Sequence, residues 1–313
     1  MKKFKKLIAA ILVTAMAVFC LAGCGGKKSG GNTVKIGLVF SLTGGTAITE
    51  ESMYNCAMLA IDEINAAGGI GGKQIEYVVK DYATDPDTAV KVVKELILQD
   101  QVSAIVGLYT SASRVAVEPV LEEYEIPLVY PTFYEGEEPN KYVFYTGAVP
   151  NQQGDYLGGK VVGNELVSSD VTEFSDIIAK IKDTCGDEGC VIYANLNGDS
   201  GTAFYTQFAA AGLSDKYTIA SFIMDESFST ALGSAAADTY ASVNYFNSID
   251  SEANKKFLEA YGAKYGADKA KAVTAVGEAT YDAVYLLSKA LEKCGDEINT
   301  ENIISNFAGV SFD

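Results

Sequence analysis

The sequence contains no histidine and no tryptophan, and its only arginine is Arg114. Histidine is the side chain that enzymes use most for proton transfer near neutral pH, and it is the commonest metal ligand. Without it a Ser or Cys triad of the usual kind is excluded, and the cysteines present do not form a zinc-binding pattern. The sequence therefore predicts no catalytic residue and no metal centre, and it disfavours an enzyme.

Positive charge is also scarce. The chain has 24 Lys and Arg against 41 Asp and Glu, a net charge of -17, which disfavours nucleic acids and anionic membrane surfaces as partners. The glycine-rich stretches do not match nucleotide sites. AGGIGGKQ has Ala67 where a P-loop needs glycine, and SLTGGT lacks the GxGxxG spacing of a dinucleotide fold. We therefore predict no cofactor.

The N-terminus is typical of an export signal. Four lysines in MKKFKK precede the apolar run LIAAILVTAMAVF, which is too short for a membrane-spanning helix. We predict a leader over residues 1–23. The sequence LAGC, ending at Cys24, resembles a bacterial lipobox in which the cysteine is lipidated; the alternative is an ordinary signal peptide with an incidental cysteine. Residues 24–32 are then a lipid anchor and flexible tether on the extracytoplasmic face of the cell membrane.

From residue 33 onward, strand-like and helix-like segments alternate. Runs rich in Val, Ile and Leu, such as TVKIGLVF and SAIVGLY, are separated by segments with a 3.6-residue apolar period, such as ESMYNCAMLAIDEINAAGG. This alternation predicts an α/β fold with parallel sheets that are covered on both faces. A second series of the same kind starts at GKVVGNELV, which we predict to be a strand over 159–167.

The loops that follow the predicted strands carry the candidate ligand residues, because ligands of such sheets bind beyond the carboxyl ends of the strands. Aromatic rings with hydroxyl tips suit a small polar, uncharged solute, since the faces cover it and the tips hydrogen-bond to it. The alternatives are that Ser111 or Ser113 only caps a helix, that an aromatic ring only packs its loop, and that NLNGDS is only a turn. The predicted ligand-binding residues are Ser41, Tyr109, Ser111, Tyr130, Thr132, Tyr134, Asn197 and Asp199.

Arg114 and three cysteines carry structural predictions. A single arginine among lysines indicates a geometric role, and we expect a bidentate bond to a carboxylate such as Glu135 in preference to ligand contact. Cys56 lies on the apolar face of its helix and is expected to be a buried thiol. Cys185 and Cys190 bracket a turn, where export would permit a disulfide if the turn brings their Cα atoms together.

Several longer stretches, covering most of residues 33–313, carry a family resemblance. They are KIGLVFSLTG, AIDEINAAGGIGGKQIE, VGLYTSASRVAVEPVLEEYEIPLVYPTFYEGEEPN, FYTGAVPNQQ, FSDIIAKIKD, LNGDSGTAFYTQFAAAG and NYFNSIDSEANKKF. Together they resemble the type I periplasmic binding proteins of ABC importers, and among these the urea and short-chain amide branch. The resemblance implies two Rossmann-like lobes with parallel central sheets, joined by a hinge. It also implies that Tyr109, Ser111, Tyr130 and Thr132 hold the amide or carbonyl group of the ligand.

The sequence departs from the family pattern after PNQQ. A full member has a helix, a strand and another helix before the strand that GKVVGNELV matches, whereas this chain has only GDYLG. We therefore expect lobe 1 over 33–148, an incomplete lobe 2 over 149–246 with the hinge near 149–153, and a truncated return to lobe 1 over 247–313. A fragment or faulty gene model is favoured over a genuinely shortened lipoprotein, and this form is expected to bind its solute weakly or not at all.

These features predict an exported lipoprotein that captures a small polar solute, such as urea or a short-chain amide, by closure of a cleft. It would pass the solute to ABC permease subunits, with no chemistry of its own. The alternatives are a receptor of the same fold for branched-chain amino acids, a ligand sensor that signals to a partner, and, from a third class, a small-molecule enzyme.

Overall fold

The computed structural model describes residues 32–136, 139–149 and 160–311. The predicted leader, Cys24 and residues 150–153 of the predicted hinge lie outside these ranges. Within them, no helix combines the length and the apolar character that crossing a membrane requires.

Five parallel strands build the first sheet, in the order β2-β1-β3-β4-β5. The strand Thr33–Phe40, which lies between two others in this sheet, is buried on both faces: Ile36, Leu38 and Phe40 pack with the first helix, whereas Val39 packs with the next two. This explains why the strand reads as a continuous apolar run. We call this part lobe 1. Its elements are β1 (Thr33–Phe40), α1 (Ala47–Ala66), β2 (Gln74–Asp81), α2 (Pro86–Leu98), β3 (Ala104–Gly107), α3 (Ser111–Tyr124), β4 (Leu128–Tyr130) and β5 (Val143–Tyr145).

Three parallel strands build the second sheet, in the order β6-β7-β8. Phe174, Phe204, Phe208 and Phe228 form the centre of the core beneath it. We call this part lobe 2. Its elements are α4 (Ser175–Cys185), β6 (Val191–Tyr193), α5 (Gly198–Ala210), β7 (Thr218–Ser221), α6 (Glu226–Leu232), a 3₁₀ turn (Gly233–Ala236) and β8 (Thr239–Ala241). The predicted α/β class with parallel sheets is confirmed.

The C-terminal helices return to lobe 1. They are α7 (Glu252–Tyr265), α8 (Ala267–Ala270), α9 (Ala275–Cys294) and α10 (Thr300–Phe307). Val284, Leu287 and Leu291 of α9 share one apolar core with β1 and α1. In addition, Asn55 of α1 donates to the Tyr261 hydroxyl of α7 at 3.1 Å. The last segment is therefore part of the packing of lobe 1.

The strand predicted over 159–167 is wrong for the residues that the structure describes, since 160–167 has no regular secondary structure. Val161, Val162 and Leu166 are exposed. The segment runs beside α4, where Glu165 contacts Lys180 at 3.0 Å, and it pairs with no strand in the described ranges. An extended segment becomes a strand only when a neighbour accepts its ladder hydrogen bonds. Here β6, the first strand of lobe 2, stays at the edge of its sheet.

Four of the six cysteines lie in the described ranges. Cys185 and Cys190 form a disulfide, with their Cα atoms 5.5 Å apart. Cys56 is a free, buried thiol, and Cys294 is another. The disulfide closes the turn between the end of α4 and the start of β6.

Candidate functional site

The loops at the carboxyl ends of the two sheets meet each other. The Tyr109 hydroxyl, just after β3, donates to Oδ1 of Asn197, just after β6, over 3.2 Å. The rings of Phe133 and Phe222 meet edge to face, with centroids 5.6 Å apart. This region between the lobes is where parallel sheets of this kind bind ligands, and we call it the inter-lobe site.

A strained turn after β3 positions Tyr109. Gly107 and Leu108 have φ angles of 127° and 64°, and a Cβ on Gly107 would lie 2.2 Å from the Val39 carbonyl oxygen. Two buried side chains hold the carbonyls of this turn. The Tyr130 hydroxyl donates to Tyr109 O at 2.7 Å, and the Thr132 hydroxyl donates to Leu108 O at 3.2 Å. Tyr130 and Thr132 thus support the site from behind.

The N-terminus of α3 lies directly after Tyr109. The sequence left open a cap by Ser111 or Ser113, but the structure places Thr110 at the cap: its hydroxyl accepts from Ser113 N at 3.2 Å. The Ser111 hydroxyl instead donates to Glu135. Among the described residues, the backbone N–H groups of Ser111 and Ala112 have no hydrogen-bond partner, so this end of α3 is free to bind an anion.

Arg114 is buried beneath this turn. Its Nη2 contacts Glu135 at 3.4 Å, as predicted, but Nη1 contacts Glu118 and the Tyr145 hydroxyl. Among the described residues, Arg114 thus contacts both Glu118 and Glu135, and no bidentate bond to a single carboxylate is seen. The guanidinium also lies 5.6 Å from the centroid of the Tyr130 ring. These contacts make Arg114 a structural residue that fixes the position of α3.

Two predicted ligand residues are engaged in internal contacts. Ser41 is fully buried, and its hydroxyl accepts from Thr84 N at 2.8 Å. The half-buried Tyr134 packs its ring 4.6 Å from that of Tyr145. The alternative that an aromatic ring only packs its loop therefore describes the contacts of Tyr134.

Lobe 2 contributes the start of α5. Asn197 stands at the N-cap position, yet its side chain makes no capping hydrogen bond and accepts from Tyr109 instead. Asp199, in the first turn, is exposed. Ser200 is only 1% exposed, and its hydroxyl has no partner among the described residues. Asn197 and Asp199 are thus brought to the inter-lobe site, and Ser200, the last residue of the NLNGDS stretch, follows them with its buried hydroxyl.

Asp225 is a residue that the sequence did not suggest. It follows β7 and accepts from Ser227 N at 2.9 Å, from Ser227 Oγ at 2.5 Å and from Phe228 N at 3.1 Å. Burial raises its pKa to about 6 against the effect of these hydrogen bonds. The pKa of Tyr109 is also raised, first by burial and then by the charge of Asp225. The carboxylate therefore lies within electrostatic range of Tyr109, and the rule about strand ends, applied to SFIMDES, would have found it.

Family models match both halves of the chain. A model described as a periplasmic binding protein matches residues 154–313, more than half of the sequence, and a periplasmic binding protein domain model matches residues 34–157. Leu/Ile/Val-binding protein homolog 6 of Brucella suis is 24% identical over an alignment 347 residues long, which covers 96% of this chain and 86% of that protein. A leucine-, isoleucine-, valine-, threonine- and alanine-binding protein of Pseudomonas aeruginosa is 27% identical over 69% of this chain, which spans only 59% of that relative.

Solved structures share the fold. The branched-chain amino acid transporter substrate-binding protein LivJ of Streptococcus pneumoniae, in complex with isoleucine, superimposes with a TM-score of 0.75 at 26% identity over 88% of each chain. A solute-binding protein of an ABC transporter from Rhodopseudomonas palustris, in complex with 3,4-dihydroxybenzoic acid, gives a TM-score of 0.78 at 23% identity. It covers 90% of this chain and 86% of its own.

Proposed function

Because the chain belongs to the periplasmic binding protein family, we propose that it captures a small solute between its lobes and delivers it to an ABC importer. The support is that loops at the carboxyl ends of both sheets meet at Tyr109 and Asn197. A hinged pair of lobes is shifted toward its closed form by a ligand that makes contacts with both. The role requires binding and release, and no bond is made or broken.

We propose that the solute is an amino acid. The observation that carries this proposal is the carboxylate of Asp225, which follows β7 and lies within electrostatic range of Tyr109. Among the described residues, backbone N–H groups and one hydroxyl bind it, and no cation does. A buried carboxylate without a counter-ion is unfavourable, so an ammonium group entering from the site would be strongly favoured.

The inter-lobe site would also offer binding groups for the α-carboxylate, the negatively charged group of an amino acid. The free N–H groups of Ser111 and Ala112 at the start of α3 would accept an α-carboxylate, which a helix N-terminus stabilises. The named ligands of the relatives are consistent with this assignment: amino acids in the Pseudomonas aeruginosa protein and isoleucine in the Streptococcus pneumoniae structure.

A short amide or urea is the second candidate. It is favoured by one observation: the Tyr109 hydroxyl already donates to a carboxamide oxygen, that of Asn197. A free amide would use the same donor without needing Asp225. The two candidates therefore differ in their dependence on the charge of this aspartate.

A thermal-shift and calorimetry panel on residues 25–313 separates the two candidates. We expect leucine, isoleucine, valine, threonine or alanine, tested to millimolar concentration, to raise the melting temperature, and Asp225→Asn to abolish the effect. The exposed Asp215 supplies the control, Asp215→Asn, which should bind like the parent. Binding of urea or acetamide that survives Asp225→Asn would favour the amide instead. If neither class shifts the melting temperature, the proposed function is wrong.

We further propose that Cys24 carries the lipid anchor that its LAGC context predicts. Two or more acyl chains hold a protein stably at a membrane. Expression of the full chain in a bacterium, followed by mass spectrometry of the N-terminal peptide, should show acylated Cys24. Cys24→Ala should move the protein from the membrane fraction to the soluble fraction. An unmodified cysteine at a different cleavage site would contradict this proposal.

A further inference from the structure

We propose that Asn197 and Gly198 of lobe 2 form a latch with Tyr109 and Gly45 of lobe 1. The latch holds the lobes together through protein groups alone, and the Asn197 carboxamide competes with the solute for the Tyr109 hydroxyl. The holding function stands on the contacts themselves, whereas the competition rests on the proposed function of the inter-lobe site.

The first component of the latch is a contact between two backbones. Gly198 has a φ of +54°, and a Cβ placed on it would lie 2.0 Å from the carbonyl oxygen of Gly45. No side chain fits at that distance, so the closeness of the two lobes depends on glycine at this position. Nearby, the hydroxyls of Thr49 and Ser227 lie 3.5 Å apart. The lobes thus touch along α1 and the starts of α5 and α6.

The second component is the hydrogen bond between Tyr109 and Asn197. Tyr109 is 5% exposed, and burial raises its pKa, so its hydroxyl stays protonated and donates. Asn197 accepts this hydrogen bond with the side chain that an N-cap asparagine normally uses to accept from the first turn of its own helix. In this structure the helix cap is absent, and the contact with the other lobe takes its place.

The Asn197 side chain can therefore occupy two states, one bonded to Tyr109 and one capping its own helix. When the lobes separate, the Asn197 carboxamide is free to accept from a backbone N–H in the first turn of α5, which offsets part of the lost contact. A solute that needs the Tyr109 hydroxyl must first displace the carboxamide. Its apparent affinity is therefore lowered by the fraction of molecules in which the latch is closed.

Small-angle X-ray scattering of residues 25–313, with no solute added, tests the holding function. Gly198→Ala should shift the radius of gyration to a larger value and speed hydrogen exchange of a peptide covering residues 197–204. Gly212→Ala is the matched control: it has a φ of +67°, at the C-terminal end of the same helix, and nothing lies within 4 Å of its Cβ. Both variants place alanine in the left-handed backbone region and are strained by it, but only Gly198→Ala should separate the lobes.

Asn197→Ala gives an independent test that introduces no backbone strain. Circular dichroism should show unchanged secondary structure, and exchange should again speed up in the first turn of α5. Scattering and exchange identical to the parent in both Gly198→Ala and Asn197→Ala would overturn the latch.

Titration with the binding compound from the solute panel tests the competition. We expect Asn197→Ala to lower the dissociation constant about threefold to tenfold, because the competing carboxamide is gone. An unchanged or raised constant would refute the competition while the scattering result on the latch stands. If the lobes open as expected but no compound binds any variant, the proposed function fails and the latch does not.

Discussion

The hydroxyl of Tyr130 donates to the backbone carbonyl of Tyr109 over 2.7 Å, from a position that solvent does not reach. This relationship separates two tyrosines that look alike in the sequence. Tyr109 faces the other lobe, whereas Tyr130 stands behind it and fixes the turn on which it sits. Tyr109 is the tyrosine that we propose contacts the solute, and Tyr130 fixes the position of Tyr109.

Tyr130→Phe should lower the free energy of unfolding by about 1–3 kcal/mol, because a buried carbonyl loses its hydrogen-bond donor. Urea denaturation followed by far-UV circular dichroism measures this change. Tyr240→Phe is the control, since Tyr240 is 69% exposed and its hydroxyl should contribute nothing measurable. Equal stability of Tyr130→Phe and the parent would show that the turn does not need this bond.

Arg114→Met should lower the free energy of unfolding by about 1.5–3 kcal/mol, because the partly buried Glu118 and the Tyr145 hydroxyl lose their hydrogen bonds to the guanidinium. Arg114→Lys should recover part of the loss, since a lysine keeps the charge but not the planar geometry. Lys255→Met serves as the control: its contacts with Asp250 and Glu252 are exposed and should be worth under about 1 kcal/mol. If the two methionine variants were equally stable, the structural role of Arg114 would be wrong.

The lobe 1 half of the site was largely predictable from the sequence. Tyr109, Ser111 and Thr132 follow strands whose apolar runs are unmistakable, and all strand ends of a parallel sheet lie at one edge. The apolar pattern does not predict which way each of these side chains points. Whether Tyr130 faces the solute or the carbonyl of Tyr109 depends on the turn at Leu108, whose φ of 64° is uncommon for a residue other than glycine.

The second lobe was predicted less well, for a physical reason. KVVGNELV has the composition of a strand, but strand formation depends on a neighbour that accepts its hydrogen bonds. In the described ranges no neighbour does so, and residues 160–167 stay exposed beside α4. Asp225 was not predicted because it precedes a short helix and has the sequence pattern of a helix cap, although it follows a strand like the other site residues.

Removing the disulfide with Cys185→Ser and Cys190→Ser should lower the free energy of unfolding by about 2 kcal/mol. The closed loop has a sequence separation of 5, and so short a loop restricts the unfolded chain only modestly. Denaturation of the parent with and without a reductant measures the same quantity. The double variant should not respond to the reductant; a response would point to Cys56 or Cys294.

Stability should fall as the pH rises from 5 to 8, and Glu50 accounts for part of the fall. Glu50 is fully buried; it accepts from Ser41 N at 2.6 Å and from the Tyr82 hydroxyl at 2.8 Å. Burial outweighs these bonds and raises its pKa from 4.5 to about 7. Because the folded pKa exceeds the unfolded one, the stabilisation is complete below pH 4.5 and is lost as the pH rises through 7.

Glu50→Gln tests this assignment, because glutamine keeps the shape and cannot ionise. Chemical denaturation at pH 5 and pH 8 should show that the variant loses less stability than the parent across this interval, by on the order of 1–3 kcal/mol. Some slope should remain, because burial also raises the pKa values of Asp225, Glu226, Glu278 and Asp282. Glu259→Gln, at an exposed position, should leave the slope unchanged. If Glu50→Gln and the parent lose equal stability over this interval, Glu50 is ionised throughout it, and other groups must produce the slope.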